Sequence, residues 1–306
     1  MADCAQPRLA LGVDVGGTGV RAALVDAGGR LRSPVHQFDP QAHQDKDTIL
    51  ANLARGMAAV LQAAPQGVVG VGMGIPGPFD YAQGISLMQN VAKYDALYGV
   101  NLQAELRGRL GLPEGMPMRF LNDAAAFALG EWQFGAARGF RRVMAITLGT
   151  GCGSAFLVDG QVQSAVPGAG ENGYVYNLPY RTGRVDDYIS RRGILTLWQE
   201  RQGEAPELPH GLDVAELAAA ADGGCPACQK LFQVWGEMFV EALAGPIERF
   251  QPDCLLLGGS IAKSLHLFAE PILVGLSRLA PNGKLRRGAD LEDAGVKGAA
   301  FAVFQG

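Results

Sequence analysis

Short apolar runs that stop at glycines are the most regular feature of the chain. The run 9–15 stops at Gly16 and the run 20–25 stops before Gly28, and the pair predicts a β-hairpin. Similar apolar segments recur along the chain and predict further strands at 31–38, 68–73, 119–121, 142–148, 154–158 and 254–257.

Helices are predicted between these strands, where apolar positions recur at intervals of three and four. The clearest runs from Asp47 to about Ala63, with Asp47 or Thr48 as its N-cap. Further helices are predicted at 101–110, about 124–134, 212–221 and about 226–250. Because strands and helices alternate, the sequence predicts an α/β fold.

An internal repeat supports a duplicated architecture. The segment 14–26 aligns without a gap on 147–159, an offset of 133 residues, so that Gly16 coincides with Gly149. Each copy is predicted to form a strand, a glycine turn and a second strand. The alternative is that two unrelated hairpins share common turn chemistry. We favour a duplication, in which two similar lobes face each other across a cleft with one glycine turn each.

The predicted lobes have no obvious linker between them. The best boundary lies near residue 120, which gives an N-terminal lobe at 1–120 and a C-terminal lobe at 121–306, with a C-terminal helix that could return to the first lobe. The length of 306 residues is sufficient for two such domains.

The composition and charge of the chain exclude several classes of function. The net charge of −4 gives no basic excess for a large nucleic-acid footprint. No apolar run approaches the roughly 18 residues that span a bilayer, and the N-terminus shows no signal-peptide pattern. The five cysteines are typical of reduced thiols in a cytoplasmic protein. We therefore expect a cytoplasmic protein without nucleic-acid or membrane partners.

The glycine turns indicate phosphate binding. Glycine lets backbone N–H groups converge without Cβ atoms in the way, and converging N–H groups bind anions. Thr18 and Thr150 add hydroxyl donors to the two turns. Asp14 precedes the first turn, and a carboxylate beside phosphates commonly holds magnesium, often through water. Together they predict a nucleotide di- or triphosphate with magnesium.

Three competing motifs fail on specific residues. The segment 72–77 fits the dinucleotide pattern GxGxxG, but its prolines oppose the helix that this pattern requires. The segment 258–264 resembles a P-loop, except that Ala262 stands where the second glycine is needed. Cys225 and Cys228 form a lone CxxC with no second pair and no nearby histidine, so we interpret them as structural.

Seven motifs spread along the chain match one family. They are LGVDVGGT (11–18), GIPGPFD (74–80), LNDAAAFALGE (121–131), ITLGTGCG (146–153), GAGENGY (168–174), GRVDDYIS (183–190) and LLLGGSIAKS (255–264). On these motifs the chain resembles the ROK sugar kinases of the actin-like and hexokinase ATPase superfamily, from Leu9 to about Phe304. The family's repressors carry a DNA-binding helix-turn-helix domain before the first glycine motif, where this chain has about a dozen residues, so the resemblance is to the kinase branch.

The resemblance implies a two-lobed actin-like ATPase, with duplicated ribonuclease H-like domains and a central cleft for nucleotide and sugar. It implies that ATP phosphates and magnesium-bound water are held by Asp14, Gly16, Gly17, Thr18, Thr147, Gly149, Thr150 and Gly151. Gly258 and Gly259 would pass under the adenosine. Asp123 matches the family's general base, the group that takes a proton from the attacking hydroxyl. Sugar contacts are implied for Asn122, Glu171, Asp186, Tyr174, Asn90 and Gly77. A simpler interpretation of Asn122 and Asp123 is a helix N-cap after a strand, and both roles are compatible.

Departures from the family pattern concern the sugar pocket and the zinc site. Tyr174 stands where many members have a histidine, Arg184 where the last zinc cysteine is usual, and Asp186 where a sugar-binding glutamate is usual. The resemblance therefore predicts no zinc and an altered sugar specificity, with the ATP half intact.

The function predicted from sequence is ATP-dependent phosphorylation of a hydroxyl of a hexose or hexose-like sugar, with ATP and Mg²⁺ and as a homodimer or higher homo-oligomer. One alternative is a sugar-sensing regulatory protein of the same family with weak or no turnover. The other is an actin-like structural ATPase, which Glu171 and the Asn122–Asp123 pair disfavour.

Overall fold

The computed structural model describes residues 8–16, 19–63, 67–90, 93–201, 203 and 208–305. Strands and helices alternate along the chain, as the sequence predicts. The chain divides into two compact units, one formed by Met1–Gly135 with Glu292–Gly306 and the other by Ala136–Leu291. None of the helices in the described ranges combines the length and the apolar character that a membrane span requires.

The first unit contains a five-stranded sheet, whose strands are β1 (Leu9–Val15), β2 (Val20–Asp26), β3 (His36–Phe38), β4 (Val68–Ile75) and β7 (Met118–Asn122). Their order across the sheet is β3-β2-β1-β4-β7. A separate small hairpin is formed by β5 (Phe79–Asp80) and β6 (Ile85–Ser86). Its helices are α1 (Lys46–Leu61), α2 (Leu102–Leu110), α3 (Asp123–Phe134) and α9 (Ala294–Phe304).

Both faces of β1 are buried, which explains its continuous apolar run. Leu11 and Val13 belong to the larger core, which includes Leu53 of α1. Ala10 points to the opposite face and packs with Val296 of α9. Because side chains alternate across a strand, the large residues meet one layer and the small residue meets the other, where α9 approaches closely.

Two predicted elements of this unit differ from the observed ones. Helix α1 has Asp45 as its N-cap, and the prediction of Asp47 or Thr48 is wrong, because the Asp45 carboxylate accepts a hydrogen bond from the Thr48 amide at 3.0 Å. Strand β3 is shorter than the predicted 31–38, because residues before His36 form a bend with a single bridge between Val25 and Leu31.

The second unit contains a five-stranded sheet, whose strands are β8 (Arg142–Leu148), β9 (Cys152–Val158), β10 (Gln161–Val162), β13 (Cys254–Gly258) and β14 (Lys284–Arg287). Their order across the sheet is β10-β9-β8-β13-β14. A small hairpin is formed by β11 (Pro179–Tyr180) and β12 (Gly183–Arg184). Its helices are α4 (Val185–Tyr188), α5 (Arg191–Arg201), α6 (Val214–Asp222), α7 (Pro226–Phe250) and α8 (Ala269–Leu279).

The two sheets repeat one topology, which supports the predicted duplication. In each, three consecutive antiparallel strands are extended by two parallel strands from later in the chain. The hairpin turns differ in length, because Val15 pairs with Val20 whereas Leu148 pairs with Cys152. The gapless sequence alignment is therefore one residue out of register after the turn. In a strand, a shift of one residue moves every side chain to the opposite face of the sheet.

The boundary between the units also differs from the sequence expectation. Residue 120 lies inside β7, which pairs with β4 in the first unit. Helix α3 follows β7 directly and packs against α9, so the first unit continues to Gly135. Helix α9 lies on β1 and β4 of the same unit.

Candidate functional site

In the first unit the predicted catalytic residues gather at one edge of the sheet. Strands β1, β4 and β7 are parallel and neighbouring, so their carboxyl ends lie side by side. Asp14 pairs with Gly74, and the next residue, Ile75, pairs with Asn122. Asp123 follows as the first residue of α3. The carboxyl edge of parallel strands is where open α/β sheets commonly bind their ligands.

Asn122 caps helix α3, which confirms the simpler of the two sequence interpretations. Its side-chain oxygen accepts a hydrogen bond from the Ala124 amide at 3.0 Å. Its amide nitrogen donates to the Tyr81 hydroxyl at 3.3 Å, and that hydroxyl donates to the Ile75 carbonyl at 3.2 Å. Tyr81 is a contact that the sequence analysis missed. These bonds fix the orientation of Asn122 and the start of the helix that carries Asp123.

Asp14 and Asp123 are two half-buried carboxylates in electrostatic contact. The pKa of Asp14 is raised to about 7, mainly because burial disfavours the charged form and also because Asp123 repels it, while Arg21 acts in the opposite direction. Burial also raises the pKa of Asp123, and hydrogen bonds from the Ala124 amide, its own backbone and Asn122 partly offset that effect. The edge of the first sheet thus concentrates negative charge.

The start of helix α9 lies against Asp14. Arg21 stands opposite Asp14 in the β1–β2 hairpin, and its Nη2 lies 2.7 Å from Oδ1 of Asp293, the residue before α9. A Cβ placed on Gly295 would lie 2.4 Å from Oδ2 of Asp14. Neither Arg21 nor Asp293 was predicted from sequence to belong to the site. The register of the β1–β2 hairpin could have identified Arg21 as the residue opposite Asp14. Asp293 could not be identified in this way, because it is far from both residues in sequence.

The second unit carries the second predicted phosphate turn at the corresponding sheet edge. Thr147 lies near the end of β8 and pairs with Gly258 at the end of β13. In the turn the Gly149 amide donates to the Gly151 carbonyl at 3.0 Å. Within the described ranges, no acceptor engages the amides of Thr150 and Gly151. Amides of this kind in a glycine turn are suited to bind an anion.

Gly259 comes directly after Gly258, the last residue of β13. Its φ of +80° is a backbone conformation that glycine adopts without steric cost. It turns the chain away at the end of β13. A Cβ at Gly259 would lie 2.3 Å from the carbonyl oxygen of Leu148, so this segment passes close to the end of β8.

A loop of the second unit carries Glu171 and Tyr174. Glu171 is exposed and begins a 3₁₀ turn, and Tyr174 is half-buried. The hydroxyl of buried Ser154 holds the loop on β9, because it donates to the Gly173 carbonyl at 2.9 Å and accepts from the Val175 amide at 3.0 Å.

Asp186 is connected to this loop through its backbone. Its amide donates to the Tyr176 carbonyl at 3.0 Å, whereas its carboxylate accepts from the Cys152 amide at 2.7 Å. The structure thus brings Asp186 beside both the loop and the predicted phosphate turn, with its side chain directed to the turn.

The remaining predicted residues that the structure describes, Gly77, Asn90 and Gly16, lie in turns and loops of the first unit. Gly77 lies in the segment between β4 and β5 and is half-buried. Asn90 is exposed, with φ +59°. Gly16 directly follows β1, and its amide donates to the Gly19 carbonyl at 2.9 Å. Gly17 and Thr18, which were predicted to bind phosphate, lie outside the described residues.

Comparison with known proteins identifies the family. The sequence profile of the ROK family matches residues 10–304, which is nearly the whole chain. The chain belongs to the ROK family. The resemblance predicted from the seven motifs is therefore confirmed.

Relatives of known name align over almost their full lengths. The chain is 26% identical to a glucokinase from Streptomyces coelicolor over 95% of this chain and 96% of that protein. It is 29% identical to an N-acetyl-D-glucosamine kinase from Pectobacterium carotovorum, over 95% of this chain and 97% of that protein.

A solved structure also matches. The structure of a ROK family glucokinase from Streptomyces griseus in complex with glucose and AMPPNP superposes with a TM-score of 0.75 at 25% identity, covering 97% of this chain and 100% of that one. The predicted actin-like ATPase fold of the ROK kinases is thereby confirmed.

The CxxC of this ROK protein is part of a helix start. Cys225 is the N-cap residue of α7 and Pro226 is its first residue, while Cys228 is buried in the core of the second unit. Among the described residues, no three His, Cys, Asp or Glu side chains cluster as metal ligands. The zinc-free state remains a prediction, to be tested by metal analysis of the purified protein.

Proposed function

We propose that this protein transfers the γ-phosphoryl group of ATP to a hydroxyl of a hexose or hexose-like sugar. The sugar-kinase class follows from the family and from relatives named as glucokinase and N-acetyl-D-glucosamine kinase. The observation that carries the proposed chemistry is the placement of Asp123. It is a half-buried carboxylate with a raised pKa, next to the capping residue Asn122 and in electrostatic contact with Asp14.

Asp123 is the proposed general base. As the sugar oxygen attacks the γ-phosphorus, its proton passes to the Asp123 carboxylate, the new P–O bond forms, and the bond to the β-γ bridging oxygen breaks to release ADP. A hydroxyl is a poor nucleophile, and a carboxylate whose pKa is raised towards the working pH is a better base. The Ala124 amide, which donates to Oδ1 of Asp123 at 2.9 Å, and the Asn122 side chain would hold that carboxylate in one orientation.

Asp14 fits a divalent cation. It places a carboxylate beside Asp123 in a half-buried environment, and its pKa is raised mainly because burial disfavours the charged form and also because Asp123 repels it. Mg²⁺ prefers carboxylate and phosphate oxygens and usually retains several waters. Asp14 would therefore hold it, directly or through water. When bound, the cation supplies neutralisation of phosphate charge, and the glycine turns supply N–H donors.

Binding of Mg²⁺ with a nonhydrolysable ATP analogue should tighten as the pH rises through about 7. Cation binding requires the ionised carboxylate, so below the pKa of Asp14 affinity should fall by about tenfold per pH unit. Calorimetric titration between about pH 6 and about pH 8 measures this slope, and buffers of different ionisation enthalpy report the released proton. Asp14→Asn should bind more weakly and lose the slope. Asp47→Asn, an exposed carboxylate of the same unit, is the control. An unchanged slope in Asp14→Asn contradicts the assignment.

We further propose that glucose is not the best substrate. Tyr174 offers one hydroxyl where a family histidine offers ring nitrogens, and Asp186 is one methylene shorter than the usual glutamate. A sugar hydroxyl that loses its partner costs about 1–3 kcal/mol, or one to two decades in specificity. Some other hexose, amino sugar or cyclitol should then exceed glucose in kcat/KM.

A sugar panel with coupled detection of ADP tests both the activity and this preference. ADP release that depends on an added sugar supports the proposed function, whereas no release with any sugar contradicts it. A kcat/KM for glucose tenfold or more above every other sugar contradicts the preference alone. The absence of nucleic-acid partners and a homo-oligomeric assembly remain predictions from sequence.

A further inference from the structure

The second phosphate turn is held at both of its ends by one short segment. This segment, residues 186–191, runs from the second residue of α4 to the first residue of α5. At one end of the turn, the Gly149 carbonyl accepts from the Arg191 amide at 2.8 Å. At the other end, the Cys152 amide donates to Oδ1 of Asp186 at 2.7 Å. The amides of Thr150 and Gly151 lie between these two points.

The carboxylate of Asp186 is itself held in place. Its Oδ2 accepts from Nη2 of Arg192 at 3.1 Å, and the same nitrogen donates to Oδ1 of Asp187 at 2.9 Å. The hydroxyl of Ser190 donates to the Asp186 carbonyl at 2.6 Å. A Cβ at Gly151 would lie 2.8 Å from Oδ1 of Asp186, so the carboxylate packs directly on the turn. Both carboxylate oxygens therefore have partners in the protein.

We infer that Asp186 is a positioning residue for the second phosphate turn and that it acts on the nucleotide rather than on the sugar. This inference rests on the proposed function, because it assigns the turn to the phosphates of ATP. Hydrogen bonds to an ionised acceptor are shorter and about twice as strong as neutral ones. A turn fixed in this way presents its remaining N–H groups without having to order them when the phosphate arrives.

The inference changes the role that the family resemblance implies for position 186. In the family pattern, an acidic side chain at this position contacts the sugar. Here the shorter aspartate directs its carboxylate to the Cys152 amide, so the sugar contact of this position is lost and a nucleotide-side contact replaces it. The loss agrees with the proposed change in sugar preference.

Asp186→Ala tests the inference through the two substrates separately. Without the acceptor, the turn has to order on binding, and the KM for ATP and the Kd for Mg·AMPPNP should rise by about tenfold, the effect of one lost hydrogen bond to a charged group. The KM for the best sugar of the panel should stay within about twofold. Asp187→Ala is the matched control: it removes an adjacent carboxylate that bonds the same Arg192 but not the turn, and it should leave the Kd for Mg·AMPPNP unchanged.

The variant Asp186→Asn distinguishes the loss of the contact with the turn from a general loss of folding. Asparagine keeps an acceptor oxygen for the Cys152 amide, so it should recover most of the nucleotide affinity, and it serves as the test if the alanine variant does not fold. Amide hydrogen exchange provides a readout without substrates. Exchange of the Cys152 amide should be faster in Asp186→Ala than in the unaltered protein and in Asp187→Ala.

The outcomes are distinct. A rise in the sugar KM with unchanged nucleotide affinity overturns the inference, and so do equal changes in both or no change in either. If the unaltered protein phosphorylates no sugar, the proposed function fails, while the Mg·AMPPNP titration and the Cys152 exchange rate still decide whether Asp186 orders the turn.

Discussion

Asp123→Asn is expected to lower kcat at least about 100-fold, because the neutral amide cannot accept the proton of the attacking hydroxyl. The change keeps the size of the side chain and an oxygen that can accept from the Ala124 amide, so α3 should still begin at the same residue. Affinity for Mg·AMPPNP should stay within about twofold, since the reaction step is lost and nucleotide binding is not. Steady-state kinetics with the best sugar and a calorimetric titration measure the two quantities.

The matched control for this variant is Asp47→Asn. Asp47 lies in the first turn of α1, as Asp123 lies in the first turn of α3, so each substitution removes one negative charge near a helix N-terminus. The control should keep near-normal kcat. Turnover of Asp123→Asn close to that of the control would remove Asp123 from the role of base.

Gly298→Ala should lower the stability of the first unit by about 1–3 kcal/mol, the usual cost of overpacking. A Cβ at Gly298 of α9 would lie 1.8 Å from the Ala126 carbonyl oxygen and 2.6 Å from the Gly130 amide nitrogen, both in α3. Both contacts are with backbone, which no side-chain rotation relieves, so one helix must move. The apparent Tm should fall by several degrees, at about 2–4 °C for each kcal/mol.

Gly108→Ala is the control, because Gly108 lies in helix α2 of the same unit with no heavy atom within 4 Å of the added Cβ. There alanine gains helix propensity without a clash and should stabilise by about 0.5–1 kcal/mol. Opposite shifts of the two melting curves would establish the backbone contact between α3 and α9. A melting temperature of Gly298→Ala equal to or above that of the control would contradict it.

Much of the sheet architecture could be predicted from the sequence because its strands are buried. The apolar run of β1 and the glycines that follow it predict a hairpin, and the hairpin is present. Helix α9 gives a weaker pattern, since it packs on both the sheet and α3 and so lacks a polar face. Its place in the first unit depends on contacts with residues far away in sequence, which periodicity does not record.

The candidate site was predictable in its local parts only. Asn122 follows a strand and precedes a helix, so its capping role can be expected from sequence alone. The ion pair of Arg21 with Asp293 and the contact of Tyr81 with Asn122 connect distant segments and became visible only in the structure. The orientation of Asp186 was also not predictable from sequence. The motif predicts an acidic side chain at that position, but the direction of its carboxylate depends on Arg192 and the Cys152 amide.

The most direct test of the account is to follow an isotopically labelled γ-phosphoryl group from ATP into sugar by mass spectrometry, with unaltered protein and Asp123→Asn in parallel. We expect one labelled sugar monophosphate for each ADP formed, with at least about 100-fold slower formation by the variant. Labelled inorganic phosphate without labelled sugar, or equal rates for the two proteins, would contradict the proposed sugar kinase and its base.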